Sequence, residues 1–350
     1  MKSMFMMAAG LLLCLMVLFL LYSSGTFRGT KMYNLAFRKK ENGDFFHLND
    51  DYCFEQYDVD LGGRYWLADP FLFEHNGRDY VFYEAYDLWS GKGKIGFSEI
   101  DPQAKKLTPP RIILDKPYHL SWPNVFELGG EIYMMPETCG DYRVRLFRAV
   151  NFPYDWEEHS ILVNDIWACD SIIMNGSDGR AKYLLASEQY HNTPTGSYPS
   201  CYVKNILFTF SSGDSLRLEP EGSIDPQGTV TRRGDYGIRN AGQFFMSEGM
   251  LLRPGQDCRN KQYGRGVVFF RVDSLEPYSE HEVFSIDCGN IGPHLRQDYV
   301  KELIGLHTYN QSRNFEVIDF AGIRSTTLET RIASKLFTLW KMMRKLYRMI

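Results

Sequence analysis

Positive charge is scarce through most of this 350-residue chain. Residues 328–350 hold six Lys or Arg against one Glu, so a chain of net charge −4 leaves −9 for everything before them. Neutralising nucleic-acid phosphates needs clustered cations, and an acidic body excludes such a partner. Metal-site cysteine spacing is also absent. Outside an apolar N-terminal run there are six cysteines (Cys53, Cys139, Cys169, Cys201, Cys258 and Cys288), too far apart in sequence for a paired zinc motif, so no metal is expected. No cofactor signature is found either, and Asp58-Val59-Asp60 is a poor nucleotide-sugar motif because it stands ahead of the first repeat. Nothing from residue 35 to 327 reads as a linker. With 44% hydrophobic and 15% aromatic residues, disorder is excluded and one large domain is expected.

What is present begins with an uninterrupted apolar run of nineteen residues, Met4 to Tyr22, long enough to span a bilayer as a helix. An uncleaved signal-anchor is the preferred reading over a cleaved signal peptide, for which Ser23, Ser24 and Gly25 offer a site. An even count of six cysteines suits three disulfides, and Asn175-Gly176-Ser177 and Asn310-Gln311-Ser312 fit the N-glycosylation pattern. Together they place the body in a secretory-pathway lumen, with the Golgi expected. At the other end, Ile332, Leu336, Leu339, Met343, Leu346 and Tyr347 recur at helical spacing among Lys335, Lys341, Arg344, Lys345 and Arg348. That predicts a basic amphipathic helix, lying on a membrane or packed on the body. The expected domains are 1–30 (anchor and stem), 31–327 (body) and 328–350 (helix).

The body repeats itself. Four segments share a polar opening, an apolar run, a Gly-containing turn and a second apolar run with a polar end: Asp69 to Glu84, Asn124 to Glu137, Asp170 to Glu188 and Asn240 to Gln256. A weaker copy runs from Ile304 to Asp319. Asn76-Gly77, Gly129-Gly130, Asp178-Gly179 and Glu248-Gly249 supply hairpin turns, and further apolar pairs follow each hairpin. Four strands recurring five times predict an all-β fold, a five-bladed β-propeller, with residues 35–60 (YNLAF and FFHLND) completing the last blade.

In a propeller the ends of the innermost strands converge on one channel mouth. The repeat therefore brings Asp69, Asp170, Glu137 and Asp257, with Asn124, Glu84 and Glu188, to the mouth as candidate carboxyls and amides, and Trp66, His119, Arg239, Arg253, Gln256 and His307 as candidate substrate-binding groups. Carboxylates pair with sugar hydroxyls, an indole face stacks on sugar C–H groups, and two carboxyls can divide acid and base roles. The alternatives are turn-capping for Asp69 and Asp170, blade-bracing for Glu84, Glu137 and Glu188, and a core role for His307.

At WLADPFLFEHNGRDYVFYE, HLSWPNVFELGGEIYMMPET, RNAGQFF, RPGQD and GLHTYN the chain resembles the N-terminal domain of glucosamine inositolphosphorylceramide transferases over approximately residues 60–320. More distantly it resembles the five-bladed propellers of glycoside hydrolase family 43. The latter resemblance implies a base at Asp69 and a pKa-tuning carboxylate at Asp170. It puts the general acid near Asn240-Ala241-Gly242, where there is no carboxyl, so Glu137 or Asp257 becomes the substitute candidate. In the transferases a separate C-terminal domain carries the reaction. Two functions follow: a membrane-anchored protein acting on a glycan or glycolipid by glycosyl transfer or hydrolysis, or a non-catalytic sugar-binding propeller presenting a glycan or glycolipid to a partner glycosyltransferase.

Overall fold

The structure, a computed structural model, describes residues 30–40, 54–175, 181–189, 203–210, 228–291, 295, 303–324, 326 and 328–347. Five antiparallel sheets follow one another along the chain. The first blade contains Tyr65–His75, Arg78–Asp87 and Lys92–Asp101, with Lys106–Leu107 and Arg111–Leu114 both on the third strand. Ser121–Leu128, Glu131–Glu137, Arg143–Asn151 and Asp155–Asn164 form the second blade; Ala168–Asn175, Ala181–Gln189, Val203–Thr209 and Thr229–Gly234 the third. The fourth blade is built on Tyr236–Asn240, Met250–Asp257, Gly266–Leu275 and Tyr278–Asp287, with Phe245–Ser247 added to the second of these.

The fifth blade closes the ring with strands from both ends of the domain. Leu303–Gly305 and Tyr309–Gln311 are innermost, Phe315–Arg324 is next, and Thr30–Lys39 pairs with it antiparallel from Thr30 opposite Arg324 to Lys39 opposite Phe315. This bears out the expectation for YNLAF, while FFHLND lies outside the described residues. A bridge from Phe37 to Glu55 adds a further edge contact. Ring closure by the N-terminal strand removes the open edge a five-repeat chain would otherwise expose.

The turns are where the Gly pairs predicted them: Asn76 and Gly77 have φ of 51° and 73°, Gly129 and Gly130 of 60° and 83°. Asp178-Gly179 lies outside the described residues. Large apolar side chains fill the spaces between blades. Phe82, Phe97, Met134 and Phe147 pack between the first and second, and Leu146, Leu184 and Phe208 between the second and third. Each such burial contributes about 1.5–3 kcal/mol relative to exposure.

One irregularity positions the site. The first three inner strands each break register, between Ala68 and Phe71, Ser121 and Asn124, and Cys169 and Ile172. Asp69, Trp122 and Asp170 occupy these bulges with positive φ of 50°, 52° and 50°. A bulge re-aims its side chain, which lets a carboxylate leave the strand's alternating pattern. Phe71, Trp122 and Ile172, from the same three strands, join one apolar cluster.

Three expectations need correction or lie beyond reach. Cys139, Cys169, Cys258 and Cys288 stand as thiols with no disulfide joining any two of them, and Cys53 and Cys201 are outside the described residues. The Asn310 acceptor is unusable in the fold, because its buried amide donates to Pro70 O at 2.7 Å and accepts from Gln243 N at 2.8 Å. The Asn175 acceptor falls at the edge of the undescribed 176–180. Among the described residues no helix is long and apolar enough to cross a membrane, and Met4 to Tyr22 lies outside them. The C-terminal helix does form, over Leu328–Tyr347.

Candidate functional site

Two buried ion clusters meet at the starts of the inner strands. In the first, His307 is held between carboxylates, with Nε2 3.1 Å from Asp69 Oδ1 and Nδ1 2.8 Å from Asp319 Oδ2. Thr308 Oγ1 donates to Asp69 Oδ1 at 2.9 Å. Asp319 also accepts three backbone N–H groups, from His307 and Thr308 at 2.9 Å each and from Asp69 at 3.1 Å. Burial lowers the His307 pKa, but Asp319 and Asp69 outweigh it and raise the imidazole to about 10, so it is a cation at neutral pH. Burial pushes Asp69 upward, but the His307 charge and the hydrogen bonds from His307 and Thr308 prevail, holding it below the ordinary carboxylate value.

In the second cluster, Arg239 grips Asp170 through Nε and through an Nη2 bond of 3.2 Å to Oδ1. Gln256 Nε2 lies 3.4 Å from Asp170 Oδ2 and 2.9 Å from Asn240 O. Burial raises the Asp170 pKa despite the opposing Arg239 charge. Glu137 sits beside this pair, 3.6 Å from the guanidinium, and accepts a 3.1 Å hydrogen bond from the Cys139 thiol. Burial first, and then the Asp170 charge, push Glu137 up to about 7. Its Oε2 is buried without a hydrogen-bond partner.

Glu84 links the clusters. Burial and then Asp69 raise its carboxyl well above the ordinary value, favouring the protonated acid. His119 faces it with Nε2 3.3 Å from Oε1. Gly93 N donates to His119 Nδ1 at 3.0 Å, and burial lowers this imidazole's pKa, which fixes a neutral ring with its proton on Nε2. The assembly thus separates a depressed Asp69 from two elevated glutamic acids, the division of labour that acid–base chemistry requires.

Around the clusters, aromatic side chains gather where inner strands begin and second strands end. Trp66 stacks on Tyr86 at 4.4 Å and 7°, Tyr142 meets Trp167 edge-on at 5.0 Å, and Arg259 lies 3.9 Å over the Tyr236 ring. Tyr33 and Tyr263 flank His307 at 4.6 and 5.1 Å. Flat apolar faces beside hydrogen-bonding carboxyls are what a sugar ring needs.

Residues 53–291 match the family model described as glucosamine inositolphosphorylceramide transferase 1, N-terminal. The chain belongs to this family. It is 30% identical over 240 residues to the Arabidopsis thaliana protein named glucosamine inositolphosphorylceramide transferase 1, covering 65% of this chain and 28% of that one. The protein of that name from Oryza sativa subsp. indica is 31% identical over 227 residues, covering 61% and 27%. The chain thus spans little more than a quarter of the length of these relatives. Among solved structures, a GH62 hydrolase in complex with xylotriose superposes with a TM-score of 0.52 at 11% identity, covering 85% of this chain and 88% of that one, which shows a shared fold.

Within this family member, the structure gathers Asp69, Asp170, Glu137, Arg239, Gln256 and His307 at the two clusters, with His119 and Trp66 at their rim. It places Arg253 elsewhere and leaves Asp257, opposite Tyr236, engaged with Arg259. Arg253 is fully buried inside the fourth blade, bonded to Glu280 at 2.6 and 2.7 Å, to Gly237 O and to Asn240 Oδ1. The RPGQD segment carries it on the other face of the strand from Gln256's contacts. Asp257 binds Arg259 through its backbone N–H and guanidinium, at 2.8–3.0 Å, and so caps the turn that follows. Two register assignments also change. Trp122, and not Asn124, is the second-blade counterpart of Asp69. Ser187 opposes Cys169 as Glu84 opposes Ala68, whereas Glu188 pairs with Lys204.

Asp319 was not nominated from sequence, although it ends the fifth repeat where Glu84 and Glu137 end theirs. Tyr263 and Tyr33 gave no sequence signal. At the fourth blade, Gly242 leaves no room for an acid, since a Cβ there would lie 1.8 Å from Tyr309 O. Among the described residues two sets could offer a metal three ligand atoms, Asp69 with His307 and Asp319, and Glu137 with Cys169 and Asp170. His307 is itself a member of the first set, and Arg239 lies against Asp170 of the second.

Proposed function

We propose that this propeller is a carbohydrate-active module that binds the sugar of a glycan or glycolipid at the mouth where the inner strands begin, and that it does not hydrolyse by the family 43 scheme. The observation carrying this reading is that both carboxylates expected to drive hydrolysis are neutralised in place, Asp69 by His307 and Asp170 by Arg239. The stretch where the third carboxyl is expected, Asn240-Ala241-Gly242, has none, and its glycine abuts a carbonyl. The aromatic rim remains to hold a sugar. In the same reading, Met4 to Tyr22 anchors the propeller in a secretory-pathway membrane, facing the Golgi lumen, and the module presents its ligand to a glycosyltransferase. The relatives' name, an inositolphosphorylceramide transferase, supports a glycolipid as the ligand class.

A second reading has one observation in its favour. Glu137, with a pKa of about 7 and a buried Oε2 lacking a hydrogen-bond partner, is poised as a general acid. A glycan and nucleotide-sugar binding screen, followed by a turnover assay on every ligand found, separates the two. Binding without turnover supports the module; turnover lost in Glu137→Gln with binding retained supports catalysis. Absence of any saccharide binding overturns both.

A further inference from the structure

The chain enters and leaves the propeller on the face that carries the candidate site. Thr30 pairs with Arg324, and Phe315–Arg324 is the second strand of its blade, as Arg78–Asp87 and Glu131–Glu137 are of theirs. Those strands end at Glu84 to Asp87 and at Glu137, beside the clusters. Thr30 and Arg324 therefore lie at the lip of the same mouth. The apolar run Met4 to Tyr22 stands just ahead of Thr30 in sequence, and the helix Leu328–Tyr347 starts just beyond Arg324.

That helix is tied to the lip at its first turn. Thr330 is buried, and its Oγ1 donates to Gly63 O at 2.7 Å, next to the strand that begins Tyr65-Trp66. Beyond it, apolar side chains face outward: Ile332 is 40% exposed, Leu336 61% and Leu339 52%. Their spacing puts them on one stripe, and the segment around them carries six Lys or Arg against one Glu. An apolar stripe flanked by cations matches the interface of an anionic bilayer, where acyl chains take the stripe and headgroups the charges. The remainder of the chain, at net −9, is repelled by the same surface, so the charge asymmetry orients the molecule as well as attracting it.

We propose that the candidate-site face is a bilayer-docking face: the helix lies on an anionic membrane surface and turns the channel mouth towards it, making the ligand the headgroup of a lipid-linked saccharide. The docking half stands without the carbohydrate reading; the identity of the ligand rests on it.

The test is hydrogen exchange on the full chain in nanodiscs of phosphatidylcholine, with and without phosphatidylserine. Exchange in residues 332–347 and 62–66 is expected to slow roughly tenfold with phosphatidylserine present. The turns at Asn76-Gly77 and Gly129-Gly130, at the far ends of the hairpins, should be unaffected. Leu336→Glu with Leu339→Glu should abolish the protection, and Lys335→Glu with Arg344→Glu should abolish its dependence on lipid charge. Equal exchange in the two lipids, or protection at the far turns, overturns the docking. Soluble-glycan binding by the unmutated chain is read separately: its presence with no lipid-dependent protection sinks docking alone, and its absence beside lipid protection sinks the saccharide ligand alone.

Discussion

His307 Nε2 lies 3.1 Å from Asp69 Oδ1, joining the last blade to the first at the centre of the ring. The strand pairing of Thr30–Lys39 with Phe315–Arg324 closes the ring at its edge; this contact closes it at its axis. With His307 also against Asp319, the imidazolium compensates two buried carboxylates. His307→Gln should therefore cost about 3–5 kcal/mol, the range for breaking a buried ion pair. The pH dependence has a defined sign. A folded pKa of about 10, above the unfolded value near 6.5, gives a contribution fully present below about pH 6.5 and lost as pH rises towards 10. Denaturant unfolding of both proteins from pH 6 to 10 should show the gap narrowing throughout.

Glu137 shares that sign in a lower pH window, for a different reason: burial disfavours its charge. Its folded pKa of about 7 exceeds the ordinary glutamate value of 4.5, so ionising it is penalised and stability falls as pH rises from about 4.5 to 7. Glu137→Gln mimics the protonated acid and keeps an acceptor for the Cys139 thiol. It should be near neutral at pH 4.5 and stabilising by about 1–3 kcal/mol above pH 7. Unfolding midpoints at the two pH values check this, and a larger gain at the acidic end would contradict the environment described for Glu137.

How much of this was legible in the sequence differs by level. The hairpins were, because Asn76-Gly77 and Gly129-Gly130 announce their turns and apolar runs flank them. Convergence of Asp69, Asp170, Glu137 and His307 followed from the repeat. What periodicity hides is a bulge. One extra residue in each inner strand shifted the second-blade equivalence from Asn124 to Trp122 and the third from Glu188 to Ser187. Alternation also cannot say which polar residue faces the channel, so Arg253 was nominated although it turns into its own blade, while Asp319, at the end of the weakest copy, was passed over. Ion pairing between Asp170 and Arg239 depends on strands of different blades and leaves no spacing to read.

The fourth blade tests whether an acid can be restored. Gly242→Ala puts a Cβ 1.8 Å from Tyr309 O, and that carbonyl cannot retreat easily because Tyr309 N donates to Ala241 O at 2.7 Å. A loss of at least about 1–3 kcal/mol is expected, as for overpacking generally, and Gly242→Glu should fail to fold. Asn240→Asp is no substitute: Asn240 Nδ2 donates to Asp170 O at 2.7 Å and Leu185 O at 3.2 Å, and a carboxylate would meet both carbonyls as an acceptor. Thermal unfolding of the three variants measures the order; a stable, hydrolytically active Gly242→Glu would overturn the account of this blade.

Arg253 and Trp66 separate stability from recognition. Arg253 and Glu280 are both fully buried, and removing the guanidinium leaves the carboxylate without its main partner beside Phe270. Arg253→Met should cost about 3–5 kcal/mol by that mechanism, with saccharide affinity unchanged in the fraction that folds. Trp66 is partly exposed at the rim and stacked on Tyr86, so Trp66→Ala removes a flat face from the mouth with little of the core. Its expected signature is the reverse: a small change in unfolding midpoint and a loss of affinity of about 1–3 kcal/mol, the worth of a buried aromatic anchor. Asp257→Asn, which touches only the Arg259 turn and its neighbour Arg265, should move neither quantity by more than about 1 kcal/mol. Calorimetric titration with any saccharide found to bind, run beside denaturant curves, reads both axes at once. If Asp257→Asn abolishes binding while Trp66→Ala leaves it intact, the mouth described here is not where the sugar sits.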